Sequence, residues 1–335
     1  MAARFGVSFD GFESTAAALA IARQVVAAGA QSLWMAEHMG YREAMVTSMG
    51  FRINDPGAVV VPTAVSPYLW HPTPTAMSLA TLAEVGTAPV GIAVGVGNPM
   101  FLGESGKTID KPVRAVREFI ECLRVLWAGE GAHYQGEIFQ LAGARLAFRP
   151  PQPLNIYVAA MGEQMLALGA RIADGVALSA GLSAQFCKAS LDKVNASARE
   201  AGRDPTGLRR ASYLFFAVSE DGKTAIDLVR PKLAFLLRNK ALKDNIAMTG
   251  VPVDQERIIA AISRRDLDEA TSLVSDDAVE AFSISGTPRA CHDRLKAFID
   301  SGIDEPVLMV MGEQAERDLA LAFLREHTGR KPSSN

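Results

Sequence analysis

The chain has 335 residues, of which 49% are hydrophobic and 21% charged, with a formal net charge of -3. That balance supplies a large core and excludes a disordered chain, and the lack of a basic tract excludes nucleic acid and anionic membrane surfaces as partners. No long apolar run follows the start, so the sequence predicts neither a signal peptide nor a membrane span, and a cytoplasmic location is expected. Cys122, Cys187 and Cys291 stand far apart in no metal-ligating spacing, which fits buried reduced thiols, and no metal site is expected.

Residues 4–9 alternate weakly as a strand, and an alanine-rich helix follows from Ser14 and Thr15 to a glycine stop at Gly29. Residues 31–36 form a second strand, and 43–51 a short helix or structured loop. The β-branched run "AVVVPTAV" over 58–65 predicts a buried strand in which Pro62 breaks the rule for a central position. His71 and Pro72 open a helix to residue 85, and 89–95 returns as a strand. Val113, Val116, Ile120, Leu123 and Trp127 recur at helical spacing across 111–127. Residues 130–153, rich in glycine and proline, leave this rhythm as a hairpin-like insertion.

Strand and helix then alternate again: strands at 155–159, 175–179 and 210–218, helices at 163–172, 184–201 and 223–239. Residues 240–282 predict a helical insertion without a strand. Helix 289–301, strand 306–311 and helix 313–327 follow, and 331–335 is a polar tail. Eight strands interleaved with helices predict an α/β fold, a (β/α)8 TIM barrel forming one domain over 1–330 with the two insertions. A doubly wound open sheet would need a glycine-rich phosphate turn after the first strand, and "VSFDGFES" lacks it.

In such a barrel the carboxyl ends of the strands carry the chemistry. The second strand ends in Glu37 and His38, which read either as an active pair or as caps bonded to the following loop. Other predicted strand ends are polar or small: Asp10 and Gly11, Ser66, the run Gly95 to Asn98, the run Ala160 to Gly162, and the run Ser179 to Gly181. Glycines there let a planar ligand or a phosphate approach backbone N–H groups. Glu163, just inside a helix start, would repel a phosphate unless it points outward. The insertion 240–282, with residues 41–54, reads as a cover over the barrel mouth that sets substrate choice. It reads equally as a solvated helical pair with Arg264, Arg265, Asp266, Asp268 and Glu269 as its charged face.

The segments "SLWMAEH", "VVVPTAVSPYLWHP", "VGIAVGVGNP", "LNIYVAAMGEQMLALGARIADGVALS" and "SISGTPRACHDRLKAFIDSGIDEPVLMV", in this order and spacing, resemble the luciferase-like monooxygenase family. Within it they are most similar to the branch of deazaflavin-dependent reductases that includes methylenetetrahydromethanopterin reductase. The resemblance implies a barrel, usually a homodimer, that holds FMN or the deazaflavin coenzyme F-420 (F420) at its carboxyl face. It implies that His38, with Glu37 beside it, is the acid or base of the site or touches the cofactor. Ala64, Val65 and Ser66 would back the ring, with a non-proline cis peptide expected at Ala64–Val65. Gly97 and Asn98 would touch the ring or ribityl chain, and Ala159, Ala160, Met161 and Gly162 would receive the phosphate; Asp10 joins this set as a strand end.

Two departures stand out. Sugar-phosphate-oxidising relatives carry a carboxylic acid just beyond the "GVG" turn where this chain has Asn98, Pro99 and Met100, which argues against oxidation of a sugar alcohol by the same proton scheme. The residue after the phosphate-loop glycine is often proline and here is Glu163. The expected function is hydride transfer between F420 and a small organic substrate. One alternative is an FMN-dependent monooxygenase using dioxygen and a partner flavin reductase. Another is a non-catalytic barrel whose mouth is plugged by Met35, Met39, Met100 and Met161.

Overall fold

A computed structural model describes residues 3–129 and 131–330 of the protein. The expected polar tail at 331–335 and Glu130, the first residue of the expected hairpin insertion, lie outside the described residues. The strands are β1 (Gly6–Phe9), β2 (Ser32–Ala36), β3 (Val59–Thr63), β4 (Val90–Val94), β5 (Ala132–Gln135), β6 (Gln140–Ala144), β7 (Leu154–Ala160), β8 (Gly175–Leu178), β9 (Arg209–Val218), β10 (Ile284–Gly286) and β11 (Glu305–Val310). β9, β11, β1, β2, β3, β4, β7 and β8 are neighbours in that order, all parallel, and β8 pairs back onto β9. The sheet is therefore a closed barrel of eight strands wrapped by helices, the (β/α)8 TIM barrel the alternation predicts. β10 adds only a short edge to the outer end of β9.

The sequence explains why the barrel closes on itself. β3 and β4 are buried at every position, as strands covered on both faces must be. Pro62 is tolerated because it shares the hydrogen-bonding side of Val60, toward β4. There the ladder holds only the Val60–Val90 pair before a bridge at Val65–Val94, so the missing N–H breaks no bond. Between them the chain has a cis peptide at Thr63–Ala64, one residue ahead of the expected Ala64–Val65.

At the amino-terminal end of the barrel, Glu305 is fully buried and collects donors from four directions. It pairs with Arg4 and accepts from Ser32 Oγ at 2.6 Å, Trp34 Nε1 at 3.3 Å and Tyr157 OH at 3.3 Å. Trp34 stands edge-on to Tyr157 with ring centroids 5.0 Å apart, which fills the barrel interior below the carboxyl face. This end is built for stability, as barrels of this kind require.

Both excursions are tied down by buried polar side chains. The β5–β6 hairpin follows helix Pro112–Trp127, whose buried Glu118 accepts N–H groups of Glu137, Ile138 and Phe139 at 3.1, 2.8 and 3.1 Å. Helices Lys243–Thr249, Gln255–Ser263, Leu267–Ser272 and Asp276–Phe282 occupy the second excursion. Its fully buried Asn245 accepts from Ser183 N at 2.8 Å and donates to Gly181 O at 2.9 Å, which anchors it to the loop after β8. The stretch 41–54 resolves into helix Ala44–Asn54, packed outside β2 and β3 rather than over the barrel mouth. Among the described residues no helix is long and apolar enough to cross a membrane.

Candidate active site

At the carboxyl ends of the strands a single cavity of about 870 Å³ opens, within the range of roughly 300–1,000 Å³ that small-molecule sites occupy. Its floor is made of small inward-facing residues, Ala36, Ala64, Gly95, Ala159 and Ala177, one from each of five neighbouring strand ends. The flatness is imposed by backbone proximity. A Cβ at Gly95 would stand 3.1 Å from the Ala64 Cβ and 3.2 Å from the Ala159 Cβ, so any side chain there would have to rise into the cavity. Ser8, Thr63 and Tyr213 complete the floor. Among the described residues the buried Tyr213 hydroxyl has no hydrogen-bond partner of good geometry, and burial raises the phenol's pKa well above its ordinary value, opposed by the neighbouring Thr63.

Of the residues singled out from sequence, Asp10, Glu37, His38, Ala64, Ser66, Gly97, Asn98, Ala159, Ala160, Met161 and Gly162 all line this cavity. Val65 does not. Its N–H donates to Ala93 O at 2.9 Å, its carbonyl accepts from Gly95 N at 3.1 Å, and its side chain is buried in the outer core. The methionines that would plug the mouth in the non-catalytic alternative leave it open: Met39 and Met161 are wall, Met35 is fully buried, and Met100 is 44% exposed.

His38 Nδ1 lies 2.7 Å from the Asp10 carbonyl oxygen. A carbonyl can only accept, so Nδ1 carries the hydrogen and Nε2 is the free position of the neutral ring. The imidazole stacks on Phe12 at 5.2 Å, which fixes its plane. Asp10 itself accepts Phe12 N at 3.1 Å and pairs with Lys232 at 3.3 Å. Glu37 is oriented differently: its Oε2 accepts Ala44 N at 3.0 Å at the start of helix Ala44–Asn54. Burial raises its pKa above the ordinary carboxylate value, opposed by the Ala44 hydrogen bond. Each side chain of the pair thus fastens a loop, as the capping reading expects, and each lines the cavity.

At the opposite wall, helix Glu163–Ile172 begins at Gly162 with no side-chain cap, and a Cβ at Gly162 would meet nothing within 4 Å. First-turn N–H groups left without a side-chain cap are suited to an anion. Glu163 offers no obstacle, because its carboxylate turns outward to Lys193 at 3.4 Å and is 74% exposed. Gly97 takes φ +93°, where a Cβ would approach Ser66 Oγ at 3.2 Å. Ser66 Oγ in turn donates to Val96 O at 2.7 Å and accepts Tyr68 N at 3.2 Å. Asn98 caps helix Pro99–Glu104 by accepting Met100 N at 3.0 Å.

Sequence reasoning missed several wall residues. Phe215, Lys232, Phe235 and Arg238 line the cavity from β9 and the helix that follows, while Ala241, Ile262, Leu267 and Thr271 bring in the helical insertion. The insertion also keeps a solvated face, with Arg257 and Arg264 paired to Glu269. Among the described residues no group of three or more His, Cys, Asp or Glu converges as a metal site.

A family model described as luciferase-like monooxygenase matches residues 4–305. The 5,10-methylenetetrahydromethanopterin reductase of Archaeoglobus fulgidus is 26% identical over 280 residues, covering 82% of this chain and 83% of the relative. The solved F420-dependent tetrahydromethanopterin reductase of Methanopyrus kandleri superposes with a TM-score of 0.86 at 23% identity, covering 96% of this chain and 98% of that one. An F420-dependent secondary alcohol dehydrogenase, solved with an F420–acetone adduct, gives a TM-score of 0.80 at 20% identity over 97% and 98% of the two chains. These two structural likenesses establish the shared fold.

Proposed function

The chain belongs to the luciferase-like monooxygenase family, and we propose that it is an F420-dependent oxidoreductase that transfers a hydride to or from a small organic substrate. Three of its relatives are named for F420-dependent or methanopterin chemistry. The observation that carries the reading is the pairing, in one cavity, of a side-chain-free floor at Ala64, Gly95 and Ala159 with an uncapped helix start at Gly162. These residues fit a flat ring bearing a phosphate: Ala64, Gly95 and Ala159 would support the ring, and the N–H groups after Gly162 would hold the phosphate. The bound deazaflavin supplies the hydride acceptor or donor, chemistry that no side chain offers.

The chain's own groups do the rest. The apolar wall of Leu69, Phe101, Phe215 and Met309 keeps water from the reacting carbon. His38 Nε2 accepts a proton from an alcohol substrate in the oxidative direction and returns it in the reductive one, while the Asp10 carbonyl holds the tautomer. Glu37 holds His38's loop against helix Ala44–Asn54. The enzyme works as a homodimer in this reading, which sedimentation tests.

The experiment is a competitive titration of purified protein with F420 and FMN, followed by fluorescence. F420 is expected to bind at least about tenfold more tightly, a difference near 1.4 kcal/mol. Preference for FMN, with oxygen consumption once it is reduced, would instead support the monooxygenase alternative.

A further inference from the structure

The cavity wall carries five side chains that can bear charge: Asp10, Glu37, His38, Lys232 and Arg238. Four have polar partners that account for them. Asp10 pairs with Lys232, Glu37 accepts the Ala44 N–H, and His38 donates to the Asp10 carbonyl. Arg238, at the end of helix Lys223–Leu237, is the exception: among the described residues no carboxylate pairs with it. It lies over the Phe235 ring with its guanidinium carbon 3.6 Å from the centroid and donates through Nη1 to the Phe235 carbonyl. Among the described residues its other N–H groups have no hydrogen-bond partner. Burial alone pulls the guanidinium below its ordinary value, with no acidic group opposing.

The surroundings of this cation are apolar and exposed. Phe12 is 49%, Phe235 42% and Leu267 57% exposed at the same mouth. Lys232 lies over Phe12 at 5.9 Å from its centroid, so each phenyl group at the rim carries a cation on its face. Exposed apolar surface rimmed by charge marks a ligand site rather than ordinary surface. A guanidinium stacked on an aromatic ring is held in plane, ready for two-point contact with a carboxylate.

We propose that Arg238, supported by Lys232, determines substrate choice by binding a carboxylate on a substrate whose body is a flat apolar group packed against Phe12 and Phe235. This rests on reading the cavity as the site of hydride transfer. The carboxylate takes Arg238, and Lys232 is shared between it and Asp10, so the cavity selects a monoanionic aromatic or otherwise planar substrate over its neutral isostere. Charge-assisted bonds in a site of this kind favour the anion by about tenfold or more.

The test compares 4-acetylbenzoate with acetophenone, the same ketone with and without the carboxylate, by calorimetric titration of the full chain with and without F420. Wild type is expected to prefer 4-acetylbenzoate by about tenfold or more. Arg238→Met is expected to reduce that preference to within about twofold, and Arg238→Lys to keep part of it. Equal affinities in wild type, or a preference that survives Arg238→Met in a variant with unchanged melting temperature, would overturn the proposal. A loss of F420 affinity in Arg238→Met with the ketone preference intact would also overturn it, since the cation would then serve the phosphate-bearing tail of the cofactor. Failure of F420 to bind wild type counts against the function proposed above and leaves the titration of the two ketones a valid test.

Discussion

Replacing Glu305 by alanine removes the one acceptor on which the amino-terminal end of the barrel is built. Arg4 loses its ion-pair partner, and Ser32, Trp34 and Tyr157 lose the oxygens to which they donate. Glu305 is fully buried and the Arg4 side chain is only 17% exposed, so water cannot replace the carboxylate. Breaking such a pair from one side costs about 3–5 kcal/mol, mostly the uncompensated charge. An unfolding entropy of about 2.1 cal/mol/K per residue over 335 residues gives about 0.7 kcal/mol/K, so the melting temperature should fall by about 4–7 °C. Glu305→Gln, which keeps one acceptor oxygen, should fall between. The assay is thermal unfolding followed by circular dichroism, with F420 titrated into the folded variant. Trp34 and Tyr157 separate this network from the cavity floor, so cofactor affinity should hold within about twofold. A loss under about 1 °C, or a large loss of affinity at full stability, would refute the division of the barrel into a stabilising end and a chemical end.

His38→Ala should slow hydride transfer by roughly 10²–10⁴-fold in single-turnover measurements while costing about 1 kcal/mol of stability, the worth of the Asp10 hydrogen bond; an unchanged rate removes His38 from the chemistry. Gly95→Val places methyl groups between Ala64 and Ala159, and should weaken ring binding at least about tenfold with the fold intact, as read by fluorescence titration and circular dichroism. Glu37 has a native pKa raised above 4.5 by burial, so the native state holds the extra proton and stability falls as pH rises from 4.5 through the raised value. The melting temperature of Glu37→Gln should therefore gain on wild type across that window; a gain by wild type instead would contradict the burial argument.

The alternation of strands and helices was legible because short apolar, β-branched runs alternate with longer stretches at helical spacing, and helix 163–172 lies where its pattern places it. Helix Pro99–Glu104 was not legible although Asn98 and Pro99 carry its cap and first-turn signal, because its six residues are too few to show a helical period. β10, three residues long, is too short to show a period. The carboxyl-end residues could be read because strand ends announce themselves by polar or small residues after apolar runs. Arg238 and Phe235 could not, since their helix looks like any amphipathic helix and only the curvature of the barrel turns its end toward the mouth. Tyr213 lies inside an apolar strand, and its place on the floor depends on the inward facing of β9. The cis bond, expected from resemblance at Ala64–Val65, stands one residue earlier, at the end of β3.

The most direct measurement is a crystal structure of the protein grown with F420. The ring is expected on Ala64, Gly95 and Ala159 within reach of His38 Nε2, with the phosphate on the N–H groups after Gly162. A ring bound elsewhere, or a cavity that stays free of it at saturating F420, would contradict the account.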